Sequence, residues 1–104
     1  MKHREFVSLF VDFKNELKSS YFEKDSSTHV GRLIKDLNLS SENKVIMSNI
    51  IDGALIDAIY NILLGLDGAA SIGGKQQLYK LYDESGNLLT GSGEIESNAY
   101  DLLQ

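Results

Sequence analysis

One stretch constrains this chain more than any other. Residues 41–66 read Ser-Glu-Asn-Lys-Val-Ile-Met-Ser-Asn-Ile-Ile-Asp-Gly-Ala-Leu-Ile-Asp-Ala-Ile-Tyr-Asn-Ile-Leu-Leu-Gly-Leu. At helical spacing, Ile51, Leu55, Ala58, Ile59, Ile62 and Leu66 fall in one arc. Asn49, Asp52, Asp57, Tyr60 and Asn61 fall opposite, with Ile50, Ile56 and Leu64 intruding among them. A helix apolar on more than one face is wrapped by neighbours or pairs with another chain. At 1.5 Å per residue it runs about 35–40 Å, long for a small domain. That length points to a projecting end, a bend at Gly53 or a dimer seam. A membrane span is disfavoured, because Asp52, Asp57, Asn49 and Asn61 interrupt any run of about 18 apolar residues.

Two helices are expected before it. Phe6, Leu9, Phe10, Phe13, Leu17 and Tyr21 recur at spacings of three and four, which predicts a helix over residues 3–21 with the phenylalanines in the core. After the polar break at 22–27, Val30, Leu33, Ile34 and Leu37 predict a second helix ending near residue 38. Ser26 or Ser27 is the expected N-cap of the second helix, and Ser40 or Ser41 that of the third.

The pattern changes after residue 65. Gly65 or Gly68 suits a left-handed helix stop, and Gly73-Gly74 suits a tight turn. Leu78, Tyr79, Leu81 and Tyr82, then Asp83-Glu84-Ser85-Gly86-Asn87, then Leu88, Leu89 and Thr90 read as strand, turn and strand. Residues 94–104 fit either a short strand at Glu94-Ile95-Glu96 or a short helix further on. The expected fold is therefore α+β: three N-terminal helices with a long third, a β-hairpin packed on it, and a short C-terminal element, all in one domain over residues 1–104.

Charge narrows the function classes. Residues 1–51 carry a net +1 and residues 52–104 a net −6. An acidic second half repels nucleic acid, whose binding rests on phosphate neutralisation, and attracts a basic protein surface. Cysteine is absent, which excludes disulfides and thiolate zinc sites. The N-terminal pattern is that of an amphipathic helix rather than a signal peptide, so the cytoplasm is the expected compartment.

No motif specifies a reaction. Gly68 and Gly73 have the outer spacing of a phosphate loop, but Gly74 displaces Lys75 and Gln76 stands where Ser or Thr is required. The expected order, helix before and strand after, is also the reverse of that motif's. His3 and His29 lack a partner at metal spacing, so neither a metal nor another cofactor is expected. Asp52, Asp57 and Asn61 are the best polar candidates for a small-molecule or hydrolytic site, working with the Gly-rich loop if the two carboxylates are buried together. Solvated faces are the simpler reading of them.

Three runs carry a resemblance: Asp52-Gly53-Ala54-Leu55-Ile56-Asp57, Leu63 to Gly74, and Tyr79-Lys80-Leu81-Tyr82-Asp83-Glu84-Ser85-Gly86-Asn87-Leu88-Leu89. Over residues 50–96 the chain resembles small acidic bacterial proteins of unassigned function, a class of size and charge that includes immunity proteins to secreted toxins. The resemblance implies a bacterial origin and a binding role, and carries no functional residue with it. The expected function is a non-enzymatic protein-binding module that neutralises a basic partner, with homodimerisation through the third helix or the hairpin edge compatible with it. The expected contact residues are Asp67, Ser71, Gly73, Gly74, Tyr79, Tyr82, Asp83, Glu84, Glu94 and Glu96, because tyrosine is enriched at interfaces and the acids supply the charge.

Overall fold

A computed structural model describes residues 1–104. It contains four helices: α1 (His3–Tyr21), α2 (His29–Asp36), α3 (Ser41–Leu66) and α4 (Glu94–Leu103). The N-terminal half of α1 packs against α4 and the C-terminal half of α3. Together with Leu89 from the connecting loop they enclose one apolar cluster of Val7, Ile59, Leu63, Leu89, Ile95, Ala99 and Leu103. On α1, Phe6 and Phe10 meet edge to face at 5.2 Å and flank that cluster, whereas Leu9 and Phe13 stay about half exposed. The inner face of α1 is thus turned toward Val7, Val11 and Lys14, away from the centre of the aromatic stripe.

The α+β expectation is wrong: the fold is all-helical, and the 76–91 segment is a loop that only turns like a hairpin. Its arms meet through Asp83 N–H to Asn87 O at 2.9 Å and Leu89 N–H to Leu81 O at 2.7 Å. Beyond that point a side chain replaces the ladder. The Thr90 hydroxyl donates to the Tyr79 carbonyl and accepts from Leu81 N–H at 3.1 Å. Thr90 is buried, and the bond that its hydroxyl supplies removes the need for another backbone rung. The Glu94-Ile95-Glu96 run is the first turn of α4, not a strand. Its alternation is misleading because Ile95, Ala99 and Leu103 form a buried stripe at helical spacing.

α3 runs unbroken through Gly53. Its end is a Schellman closure: Ala69 N–H donates to Leu64 O at 2.9 Å and Gly68 N–H to Gly65 O at 3.2 Å, with Gly68 at φ +80°. Burial along α3 follows its i+4 rows. The rows Met47-Ile51-Leu55-Ile59-Leu63 and Ser48-Asp52-Ile56-Tyr60-Leu64 are half-buried or buried. Ile46-Ile50-Ala54-Ala58-Ile62 and Val45-Asn49-Gly53-Asp57-Asn61 are exposed. Ala58 and Ile62, expected on the inner arc, therefore face water, because α1 and α4 cover the neighbouring rows instead. The molecule measures 46 × 29 × 23 Å with a radius of gyration of 16.3 Å. A compact chain of this length has a radius near ~13 Å, so much of α3 lacks intramolecular cover.

The cap of α2 is Thr28, one or two residues beyond the expected serines, with its hydroxyl accepting from Gly31 N–H at 2.9 Å. Ser26 braces it, donating to Ser20 O at 2.7 Å. A Cβ on Gly31 would lie 2.5 Å from the Ser26 Cβ and 2.7 Å from the Thr28 Oγ1. Gly53 sits in an exposed helix interior with nothing within 4 Å of an added Cβ. The two alanine substitutions are expected to act with opposite signs. Gly53→Ala should stabilise by about 1 kcal/mol through helix propensity. Gly31→Ala should destabilise by about 1–2 kcal/mol, because the lost cap and the overlap exceed that same gain. Urea unfolding of the two variants checks both signs.

Candidate functional site

The sequence singles out two groups of residues, and the structure treats them differently. Asp52 sits on the inner side of α3, facing α1. One of its carboxylate oxygens accepts from Lys14 Nζ at 2.7 Å and from Lys18 Nζ at 3.0 Å. Those hydrogen bonds, Lys14 first, hold its pKa below the ordinary carboxylate value. Asp57 lies on the outer side of α3 in water. Asn61 donates to the Asp57 backbone carbonyl at 2.7 Å, not to its carboxylate. The three candidates are not brought together, and the two carboxylates share no enclosed space. Three of the surface clefts hold about 300 Å³ each, and none of these is lined by Asp52, Asp57 or the 68–75 loop.

The second group is brought into one region, a loop cap over residues 67–93 with the start of α4 beside it. Asp67 is its buried anchor. One Asp67 oxygen accepts from Gly91 N–H at 2.7 Å and the other from Glu96 N–H at 3.1 Å. Glu96 is the third residue of α4, so Asp67 caps that helix from a distant point of the chain. It is a structural clasp and offers no surface to a partner. Ser71, Gly73 and Gly74 are exposed on a tight turn closed by reciprocal backbone bonds between Ile72 and Lys75 at 3.0 and 3.1 Å. Both glycines have positive φ, +61° and +82°, as such a turn requires.

Asp83 organises the outer turn. Its carboxylate accepts from Ser85 N–H at 3.0 Å and Asn87 N–H at 2.8 Å, and pairs with the Met1 ammonium. The ammonium, then the Asn87 amide, push its pKa well below the usual range. Glu84 is exposed beside it. Tyr79 is half-buried and Tyr82 is 54% exposed. Glu94 pairs with His3 Nδ1 at 2.7 Å, and the Glu96 side chain is exposed.

Two leucines complete this surface and were not singled out from the sequence. Leu78 and Leu88 are 60% and 47% exposed and line one shallow cleft with Tyr79, Lys80 and Thr90. Tyr82 is bridged to Leu88, which puts the two side chains on one side of the loop. Their signal was read as strand alternation, which assigned one leucine face to the core. Lys14 and Lys18 were also missed, although Val7, Val11, Lys14 and Lys18 repeat at four, three and four, the spacing of one helix face. Comparison with family models, with curated proteins and with solved structures returned no match. By length and composition alone, α3 is the one helix long and apolar enough to cross a membrane.

Proposed function

We propose that this chain is a non-enzymatic protein-binding module that engages a basic protein partner through its loop cap, in the manner of an immunity protein, in the cytoplasm. The observation that carries the reading is the open Leu78–Leu88–Tyr82 patch, which lies in the acidic part of the chain. Residues 67–104 hold six acidic side chains against Lys75 and Lys80. Apolar and aromatic anchors on a segment of net negative charge suit a partner of opposite charge: the charge speeds encounter and the anchors hold the complex. The turn fixed by Asp83 and Thr90 holds the patch in place before binding, which lowers the ordering cost.

Capture from the source cell on the immobilised chain tests this. The wild type is expected to retain a basic protein, more strongly at low salt. The double variant Leu78→Asp/Leu88→Asp should lose roughly 30-fold in affinity, the scale of a central anchor. Its melting temperature should stay near that of the wild type, since both leucines are largely open. Retention of no protein, or equal retention by the variant, would refute the reading.

A further inference from the structure

The outer row of α3 is unlike the rest of the surface. Ile46, Ile50, Ala54, Ala58 and Ile62 follow each other at every fourth position, and all five are exposed. Ile46 is 55% open, Ile50 60% and Ile62 47%. Such i+4 rows are the ridges by which helices pack into one another's grooves. This ridge is large in its first half and small at its centre and just beyond.

We propose that two copies of this chain associate across this ridge, with the two α3 helices antiparallel and a two-fold axis near Ala54. This goes beyond the loop-cap reading and uses a separate surface. The size pattern selects the orientation. In an antiparallel crossing centred on Ala54, Ile50 of each copy lies over Ala58 of the other, so bulk meets space at the centre, and Ile46 meets Ile62 at the two ends. A parallel crossing sets Ile50 against Ile50 and Ala58 against Ala58, which leaves crowding at one level and a void at the next.

Charge selects the same orientation. The start of α3, the end of α1 and α2 border one cleft, whose charged lining is Lys24, Lys35 and Lys44 with Glu23. Residues 13–50 carry a net +1, and the remainder, gathered around α4 and the loop cap, a net −6. Each subunit therefore has a distinctly acidic end. An antiparallel pair keeps the two acidic ends apart and sets each against the more basic end of the other copy; a parallel pair puts like against like.

The area suffices for a weak dimer. The ridge with Val45 and the edges of Met47 and Ile51, counted on both copies, comes to on the order of 1,000 Å², the low end of specific interfaces. The polar flank of Asn49, Asp57 and Asn61 suits a wet interface rim. It does not suit lipid, where an ionised aspartate near the middle of a helix is costly. That distinguishes a second copy from a bilayer as the occupant.

Sedimentation equilibrium and cysteine cross-linking of the full chain test the proposal. A reversible monomer–dimer equilibrium in the micromolar range is expected, weakened by added salt. Ile50→Asp should weaken it at least 30-fold while leaving the far-ultraviolet circular dichroism unchanged. The chain has no native cysteine, so engineered ones report register. Ala54→Cys should cross-link to itself. Ile50→Cys alone should not, since its two copies lie about 12 Å apart along the axis. A mixture of Ile50→Cys and Ala58→Cys chains should. A monomer at millimolar concentration, self-cross-linking of Ile50→Cys without the mixed product, or a monomer that pellets with anionic phospholipid vesicles through this ridge would each overturn it. Loss of protein capture by the loop-cap variant leaves this equilibrium unchanged, so the two readings fail separately.

Discussion

Asp67→Ala should lower the unfolding free energy by about 3 kcal/mol, the largest effect of any single polar substitution in this chain. The residue is 6% exposed, and each of its oxygens holds a backbone N–H that has no other partner in the structure. Alanine strands both donors, at Gly91 and at the third position of α4. A lost helix cap alone costs about 1 kcal/mol. The second orphaned amide, in a part-buried bond, and the loss of a negative group at a helix N-terminus add to it. The melting temperature should fall by roughly 10–20 °C for a domain of this size. Asp67→Asn keeps one acceptor and should lose about half as much. Urea unfolding gives the free energies, and amide exchange should quicken first at Glu96 and Gly91. A loss below about 1 kcal/mol for Asp67→Ala would show that water replaces the carboxylate at both amides.

Asp52→Asn is expected to cost about 2 kcal/mol at neutral pH. Lys14 is 8% exposed, so removing the charge that faces it leaves an ammonium inside the fold without a counter-ion. Lys18 is more open and turns to water at little cost, which keeps the effect below that of a fully buried pair. The pH dependence has a definite sign. The folded pKa of Asp52 is depressed, so its contribution is complete above the ordinary carboxylate value and is lost as pH falls through the folded one. The gap between wild type and Asp52→Asn should narrow below about pH 4. Replacing both members with apolar groups, Lys14→Met with Asp52→Leu, should recover most of the loss, because no unpaired charge remains. Urea titrations of the three proteins at several pH values check each step.

The helical half of the fold was legible because its signals are local. Periodicity marked α1 at residues 3–21 and α3 at 41–66, and both helices occupy those spans. Ser40 caps α3 as expected, its hydroxyl accepting from Asn43 N–H at 3.2 Å. The faces were less legible than the helices. Which row of α3 is covered depends on where α1 and α4 arrive, so Ala58 and Ile62 were placed inward while they face out. The hairpin failed for a related reason. Its turn chemistry is real, and Asp83 and Gly86 act in it as turn residues. A two-stranded ribbon needs a partner sheet or continuous rungs, and Thr90 ends the rungs early. Asp67 is expected from the sequence as a surface contact residue, and the structure makes it a buried clasp. Its two partners lie 24 and 29 residues away, a separation that no local pattern encodes.

Thr90 has one more consequence. Because its hydroxyl occupies the Leu81 amide and the Tyr79 carbonyl, the two arms zip no further, and the amides of residues 76–80 are left without a main-chain partner. An incoming extended peptide meets those free amides from Gln76 to Lys80, and its pairing stops where Thr90 already fills the Leu81 amide. A single threonine hydroxyl thus sets how far main-chain pairing extends along this arm, and the protruding side groups supply the selectivity.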